Sequence, residues 1–244
     1  MKKEAVTIQE NRKDLLRENA RLRGDLLSVA RRISHDLRTP LGGILSLGEL
    51  LKEMLKDSDP KLAQLATGVL SWTEEMLQII KRTALLLTAS SSPCHLDPVS
   101  MGDAVSDALL RLGSEIRKRG ATISQCETWP EVKGRSEWLG EIWWNFLDNA
   151  LRHSGQKPRI ELGWREIDGK FQFWISDGGP GVPSDRLKQL FQPFHQLHEF
   201  NASRGLGLSS VQRFVELQGG ECFYKPNKQG GAGFFFTLPR LKGT

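Results

Sequence analysis

Cysteine is scarce in this 244-residue chain: there are three, Cys94, Cys126 and Cys222. An odd, scattered trio builds neither a disulfide framework nor a zinc site, and it fits a reducing cytoplasm. Long hydrophobic runs are missing as well. No stretch approaches the roughly 20 apolar residues that cross a bilayer. The opening "MKKEAVTIQENRKDLL" has two lysines and no apolar stretch behind them, so it does not read as a signal peptide. Nor does one sign of charge dominate. The 34 basic and 29 acidic residues leave a net +5, and they interleave along the chain. That is a solvated mixed-charge surface, which argues against a nucleic-acid-binding face. There is no internal repeat and no low-complexity tract. Residues 1–90 contain proline only at 40 and 60 and almost no strand signal.

What fills that first stretch is helical spacing. Ile8, Leu15, Leu22 and Val29 recur every seventh residue as heptad d positions, with Asn19, Leu26 and Ile33 at a. An asparagine at one a position favours a parallel two-stranded coil in fixed register; one amphipathic helix packing on its own chain is the alternative. "KDSDPKL" (56–62) reads as a turn and helix start, with Asp59 as cap and Pro60 first in the helix. A second apolar-periodic stretch runs from Leu62 to about Ala89. The first half is therefore a long helical hairpin with a greasy face, which two copies cover by forming a four-helix bundle.

"TASSSPCHLDPVS" (88–100) breaks the pattern. Beyond it a helix is expected over 101–119, a strand over 121–127 and an apolar helix over 137–154. Two alternating runs, "RIELGWREI" and "KFQFWISD", flank Asp168-Gly169, a hairpin signal. A helix near 207–218 and the strands "GECFYKP" and "AGFFFTLP" follow. Helices mixed with strands joined partly as hairpins predict an α+β sandwich.

The chemistry clusters at a few places. "ARRISHDLRTPLGG" (30–43) sets His35 beside Asp36, Thr39 one turn on, and a helix-bending Pro40. His35 falls at heptad position c, off the core stripe, and is expected to face solvent. Asn145 and Asn149, four apart, are expected to share a polar face distinct from the one burying Trp143, Phe146, Leu147 and Ala150. An amide oxygen there suits Mg²⁺. Arg152 and His153 follow, within reach of phosphate and base. Asp177 ends an apolar strand, where a carboxylate either accepts from an exocyclic amine or caps a turn. Glycine gathers in "DGGPGVP" (177–183) and "SRGLGLS" (203–209), where backbone can approach a phosphate. Neither cluster is a lysine-bearing phosphate loop or a dinucleotide fingerprint.

In this order and spacing the pieces resemble the catalytic core of a sensor histidine kinase, over about residues 25–240. "SHDLRTPL" is similar to the phosphoacceptor box, "NFLDNALRHS" to the asparagine box and "DGGPGVP" to the first glycine box. "FQPF" is similar to the phenylalanine box and "RGLGLS" to the second glycine box. The resemblance implies a multidomain α and α+β chain. Residues 1–92 would be the coiled-coil entry and dimerising phosphotransfer hairpin, and 97–241 an α/β-sandwich ATP-binding domain.

The resemblance also implies roles. His35 would take the γ-phosphate of ATP, Asp36 would orient the ring and accept its proton, and Thr39 would place a water for dephosphorylating the partner. Asn149 would hold Mg²⁺, supported by Asn145. Arg152 would touch phosphate and His153 the nucleotide. Asp177 would bond the adenine amine in a pocket lined by Gly179 and Gly181. Gly205, Leu206 and Gly207 would let the following helix face the phosphates beneath a lid at 195–204. Asn145 stands where related gyrase, chaperone and mismatch-repair ATPases carry a glutamate base; an amide takes no proton, which favours transfer over hydrolysis.

Two departures stand out. Ser203-Arg204 replaces the usual Gly-Thr before Gly205, so Arg204 either grips the γ-phosphate or weakens nucleotide binding. "GRS" (134–136) replaces the usual Gly-Asp before the asparagine helix, with Ser136 as the substitute cap. The expected partners are a second copy of the chain and a response-regulator receiver domain; about 25 residues precede the box, so the sensor is expected either in a longer protein of which this sequence is a piece or in a separate partner. Neither nucleic acid nor a membrane segment is expected, and the expected location is cytoplasmic. Two other readings exist: a phosphotransfer scaffold with an inert nucleotide domain, and an ATPase machine.

Overall fold

The computed structural model describes residues 18, 32–56, 58–89, 95–192, 207–227 and 231–240. The heptad positions Ile8, Leu15, Asn19, Leu22, Leu26 and Val29 lie outside the described residues. The chain divides into two compact units, Met1–Pro93 and Cys94–Thr244.

The first unit is a pair of helices, α1 (residues 32–55) and α2 (Pro60–Ala89). Pro40 does not end α1. A proline inside a helix forfeits one hydrogen bond, and the turns on either side hold the rest. Asp59 caps α2: its Oδ1 accepts the N–H groups of Lys61 at 3.0 Å and Leu62 at 3.2 Å, satisfying two of the donors a helix start leaves open. The helices meet along Leu41, Gly48 and Leu70. A Cβ on Gly48 would stand 2.8 Å from a Leu70 methyl, so glycine sets how closely they approach. Ser34 and Thr73 are also buried. Twelve large apolar side chains of these helices remain exposed: Ile33, Leu37, Ile44, Leu47, Leu50, Leu51 and Met54 on α1, and Leu62, Leu65, Val69, Trp72 and Met76 on α2.

The second unit is a five-stranded sheet carrying helices. Its elements are β1 (Asp97–Ser100), α3 (Met101–Arg111), α4 (Gly113–Arg119), β2 (Thr122–Gln125), β3 (Glu131–Gly134), α5 (Ser136–His153), β4 (Arg159–Ile167), β5 (Lys170–Asp177), a short 3₁₀ turn (Ser184–Gln189), α6 (Gly207–Leu217), β6 (Cys222–Pro226) and β7 (Ala232–Pro239). The sheet order is β2-β4-β5-β7-β6, with β2 parallel to β4 and the other pairs antiparallel. β1 and β3 form a separate antiparallel pair. The single helix expected over 101–119 is broken at Leu112, whose backbone N–H reaches back to the last carbonyls of α3.

Period-two patterning builds the core. Phe171, Phe173 and Ile175 on β5 and Phe234, Phe236 and Leu238 on β7 share one face and are buried. α5 lays Trp143 and Phe146 onto it: Trp143 meets Phe236 edge-on at 5.5 Å, and Phe146 stacks on Phe234 at 5.4 Å. Burying each such ring contributes about 1.5–3 kcal/mol. Asp168 and Gly169 both take positive φ (49° and 70°), as a two-residue turn between β4 and β5 demands.

Candidate functional site

His35 lies on α1 with its side chain 81% exposed, and its Nδ1 stands 3.2 Å from Asp36 Oδ1. An ionised carboxylate only accepts, so Nδ1–H is the donor and Nε2 keeps its lone pair. Asp36 is in turn 3.9 Å from Arg32 Nε. Thr39 is exposed. Ser34, Leu41 and Gly48 mark the side of α1 that faces α2. At about 100° per residue, His35 and Thr39 turn away from it on one flank, and Leu37, Ile44 and Leu51 on the other. The imidazole and the apolar row are therefore separate surfaces of one helix.

In the second unit, Asp177 is decisive in position. It continues the inward series 171, 173, 175, so its carboxylate points to the helix side at the sheet's end. It is 4% exposed. Its Oδ1 accepts Gly179 N–H at 2.8 Å and Ala232 N–H at 3.3 Å. Glycine at 179 is a steric need: a Cβ there would sit 2.9 Å from both Asp177 Oδ1 and the His153 carbonyl oxygen. The first glycine loop is thereby pressed against the end of α5. Gly181 holds φ +73°, and Gly207 opens α6, buried.

α5 presents the asparagines differently from the expectation of one polar face. Asn145 is buried, 3% exposed, among Trp143, Phe146, Leu147 and Ala150. Its Nδ2 donates to the Glu141 carbonyl at 2.7 Å, which is how a core position accommodates an amide. Asn149, one turn on, is half-buried. Arg152 Nε donates to Asp148 Oδ1 at 2.7 Å, so its guanidinium is anchored on its own helix. His153 is exposed. Ser136 is not the helix cap. Arg135 takes that position without a side-chain bond, and its backbone N–H goes to Gln218 Oε1 at 3.0 Å, just past the end of α6. Pro193, Phe194, the lid at 195–204, Arg204, Gly205 and Leu206 lie outside the described residues.

Sequence reasoning missed the residues that brace Asp177 from β6 and β7. Asn227 Nδ2 donates to Ser176 Oγ at 2.9 Å and to the Asp177 carbonyl at 3.4 Å. The Tyr224 hydroxyl accepts Val182 N–H at 3.0 Å. A Cβ on Gly231 would meet the Asp177 carbonyl oxygen at 1.8 Å. The glycine pair before the last strand was the available signal. Burial pushes the thiols of Cys126 and Cys222 up, away from the thiolate form.

An exposed histidine paired with an acid, on a hairpin followed by a sheet whose end carries a buried aspartate under a glycine loop, decides between families. Residues 25–88 match the His Kinase A (phospho-acceptor) domain. Residues 134–242 match the histidine kinase-, DNA gyrase B- and HSP90-like ATPases. Together the two matches make this chain a sensor histidine kinase catalytic core. Among curated relatives it is 31% identical over 214 residues to the methanogenesis regulatory histidine kinase FilI of Methanothrix harundinacea, covering 85% of this chain and 24% of that protein. It is 29% identical to the adaptive-response sensory kinase SasA of Nostoc sp., covering 84% and 55%. The full-length ShkA structure, in complex with AMPPNP, shares the fold with a TM-score of 0.67 at 24% identity, covering 86% of this chain and 45% of that one. The mycobacterial sensor histidine kinase MprB aligns at 28% identity with a TM-score of 0.53, covering 59% and 97%. The chain spans between 24% and 29% of the length of the first relatives it matches.

Proposed function

We propose that this histidine kinase core phosphorylates His35 from ATP and passes the group to an aspartate of a response-regulator receiver domain. The observation that carries the reading is the exposed His35 imidazole with Nδ1 engaged by Asp36. That pairing leaves Nε2 as the nucleophile. Nε2 attacks the γ-phosphorus, the bond to the β,γ-bridging oxygen breaks, and ADP leaves with that electron pair. Asp36 stabilises the positive charge the ring gains and takes the Nδ1 proton.

ATP is held, in this reading, at the second unit. Asp177 Oδ1 is occupied by two backbone donors, which leaves the other carboxylate oxygen for the adenine amine. Gly179 and Gly181 keep the loop low enough for a flat base. Asn149, with Asn145 packed one turn before it, fits Mg²⁺, which takes few protein ligands and uses phosphate oxygens and water for the rest. When bound, the ion neutralises phosphate charge. In this reading Arg152 serves the phosphates and His153, whose carbonyl lies against Gly179, serves the nucleotide. Buried Asn145 offers no base to activate water, so hydrolysis is disfavoured. Arg204, Gly205, Leu206 and Gly207 are assigned to the phosphates by the motif they form.

The same surface of α1 serves the return reaction. Thr39 lies one turn from His35 and would position water on the receiver's phospho-aspartate. The exposed apolar row makes the chain a homodimer through its hairpins. The test is labelling with γ-³²P ATP. Wild type should acquire acid-labile, alkali-stable label; His35→Gln and Asn149→Ala should each lose it. Absence of label together with no measurable ATP binding favours the scaffold alternative. Steady phosphate release that survives His35→Gln would instead identify an ATPase.

A further inference from the structure

We propose that Tyr224, the only tyrosine in the chain, is a positioning residue for nucleotide binding: its hydroxyl oxygen fixes the far end of the loop that begins at Asp177. The inference rests on the reading that Asp177 meets adenine. The loop 178–183 has no strand or helix to satisfy its backbone. Two side chains do so instead. Asp177 itself takes Gly179 N–H at 2.8 Å, and Tyr224 takes Val182 N–H at 3.0 Å. Between them Gly181, at φ +73°, lets the backbone reverse. The near end is thus set by β5 and the far end by β6, two strands apart in the sheet.

The phenol can act as a fixed post because its ring is held. Tyr224 sits edge-on to Phe234 at 5.5 Å, and Phe234 stacks on Phe146 of α5, the helix that carries both asparagines. Asn227, three residues further on, ties the same strand to Ser176 Oγ and to the Asp177 carbonyl. Its backbone N–H donates to Gly231 O at 2.8 Å. Gly231 in turn admits the Asp177 backbone where no Cβ fits. β6, Asn227 and the start of β7 therefore brace Asp177 and its loop by three hydrogen bonds to Tyr224 and Asn227 side chains, one from Ala232 N–H, and one close approach. Among the described residues, Tyr224 is the side chain that holds the loop's outer half, beside the bond from Arg186 N–H to the Pro183 carbonyl that opens the 3₁₀ turn. A preorganised loop binds its base more tightly because no ordering remains to be done on binding.

Tyr224→Phe tests this on the full chain, since it deletes one oxygen and keeps the ring on Phe234. Calorimetric titration should show MgATP and ADP binding weakened about five-fold, the equivalent of one lost neutral hydrogen bond. Amide exchange should rise in 178–183 alone, with the melting temperature unchanged. Asp177→Asn, run in parallel, should abolish measurable binding. If Tyr224→Phe binds and exchanges like wild type while Asp177→Asn loses ATP, the positioning role is overturned and the nucleotide site stands. If Asp177→Asn binds ATP like wild type, the adenine reading falls and the role of Tyr224 with it. Weakened binding accompanied by faster exchange throughout the unit would make Tyr224 an ordinary packing residue and overturn the proposal. A measurement on the unmodified chain needs no variant: the Raman doublet of the single tyrosine should report a phenol oxygen that accepts, and a phenol acting only as donor refutes the assignment.

Discussion

At the scale of single residues, the histidine kinase site depends on side chains that are absent as much as on those present. Gly231 illustrates this. Its neighbours leave no room: a Cβ would fall 1.8 Å from the Asp177 carbonyl oxygen, 2.9 Å from the carbonyl carbon and 3.2 Å from Gly178 Cα. All three are backbone atoms, which cannot rotate aside as a side chain can. Gly231→Ala must therefore push β5's end away from β7 and weaken the bond from Ala232 N–H to Asp177 Oδ1. We expect a stability loss of about 2 kcal/mol, within the range that strain and broken buried hydrogen bonds produce, and at least a ten-fold loss of ATP affinity. Urea unfolding and calorimetric titration check the two effects separately. Gly178→Ala is the control, because its Cβ meets nothing within 4 Å. Asp177 was legible in the sequence because it ends an alternating strand. Tyr224 and Asn227 were not, because their work is done across the sheet, at pairings that no local spacing reveals.

Among the elements, α5 is the organising piece. It packs on the sheet by Trp143 and Phe146, carries the asparagines, and is tied over its N-terminal turns by polar groups from elsewhere. Gln218 takes the Arg135 N–H before its first turn. Arg111 of α3 pairs with Glu141 at 2.9 Å and lies over the Trp144 ring at 5.4 Å. Glu141 is 1% exposed, and that guanidinium offsets part of the cost of burying its carboxylate. Removing one partner of a buried pair costs about 3–5 kcal/mol, whereas removing both costs far less. Arg111→Met should therefore lower stability by about 3 kcal/mol, and Glu141→Gln added to it should restore much of the loss. Six of the seven tryptophans lie in this unit, so fluorescence-monitored urea unfolding reads the change. Equal loss in the single and double variants would show that the ion pair does not hold α3 to α5. The hairpin β4–β5 and helices α5 and α6 were readable from periodicity and the Asp-Gly turn. β1 and β3 were not: β1 holds Pro98 within the proline-bearing break, and β3 has Val132 as its one buried apolar side chain. The cap of α5 was misread because its partner sits 83 residues further along the chain.

For the whole molecule, the deciding feature is what one copy leaves uncovered. A monomer does not ordinarily expose twelve large apolar side chains on one pair of helices. On α2 they fall at Leu62, Leu65, Val69, Trp72 and Met76, alternating three and four residues apart, which is the seam of a helix packed on another helix. α1 supplies a matching seam of Leu37, Ile44 and Leu51 at intervals of seven, flanked by Leu47 and Met54. In a two-fold dimer each seam buries itself twice, once on each copy. Trp72 is the largest member and is 68% exposed in one chain. Burying a lysine there without a partner costs several kcal/mol per copy, and the two-fold axis doubles it. Leu65→Lys with Trp72→Lys should therefore turn a dimer into a monomer at micromolar concentration, read as a halving of mass by light scattering. ATP affinity should stay as in wild type, because Asp177 and its braces belong to the other unit. The double variant should also keep its helix content, since both substitutions lie at positions that a lone hairpin leaves in water. A dimer of unchanged mass would show that this row is not the interface, and the four-helix arrangement would have to be abandoned.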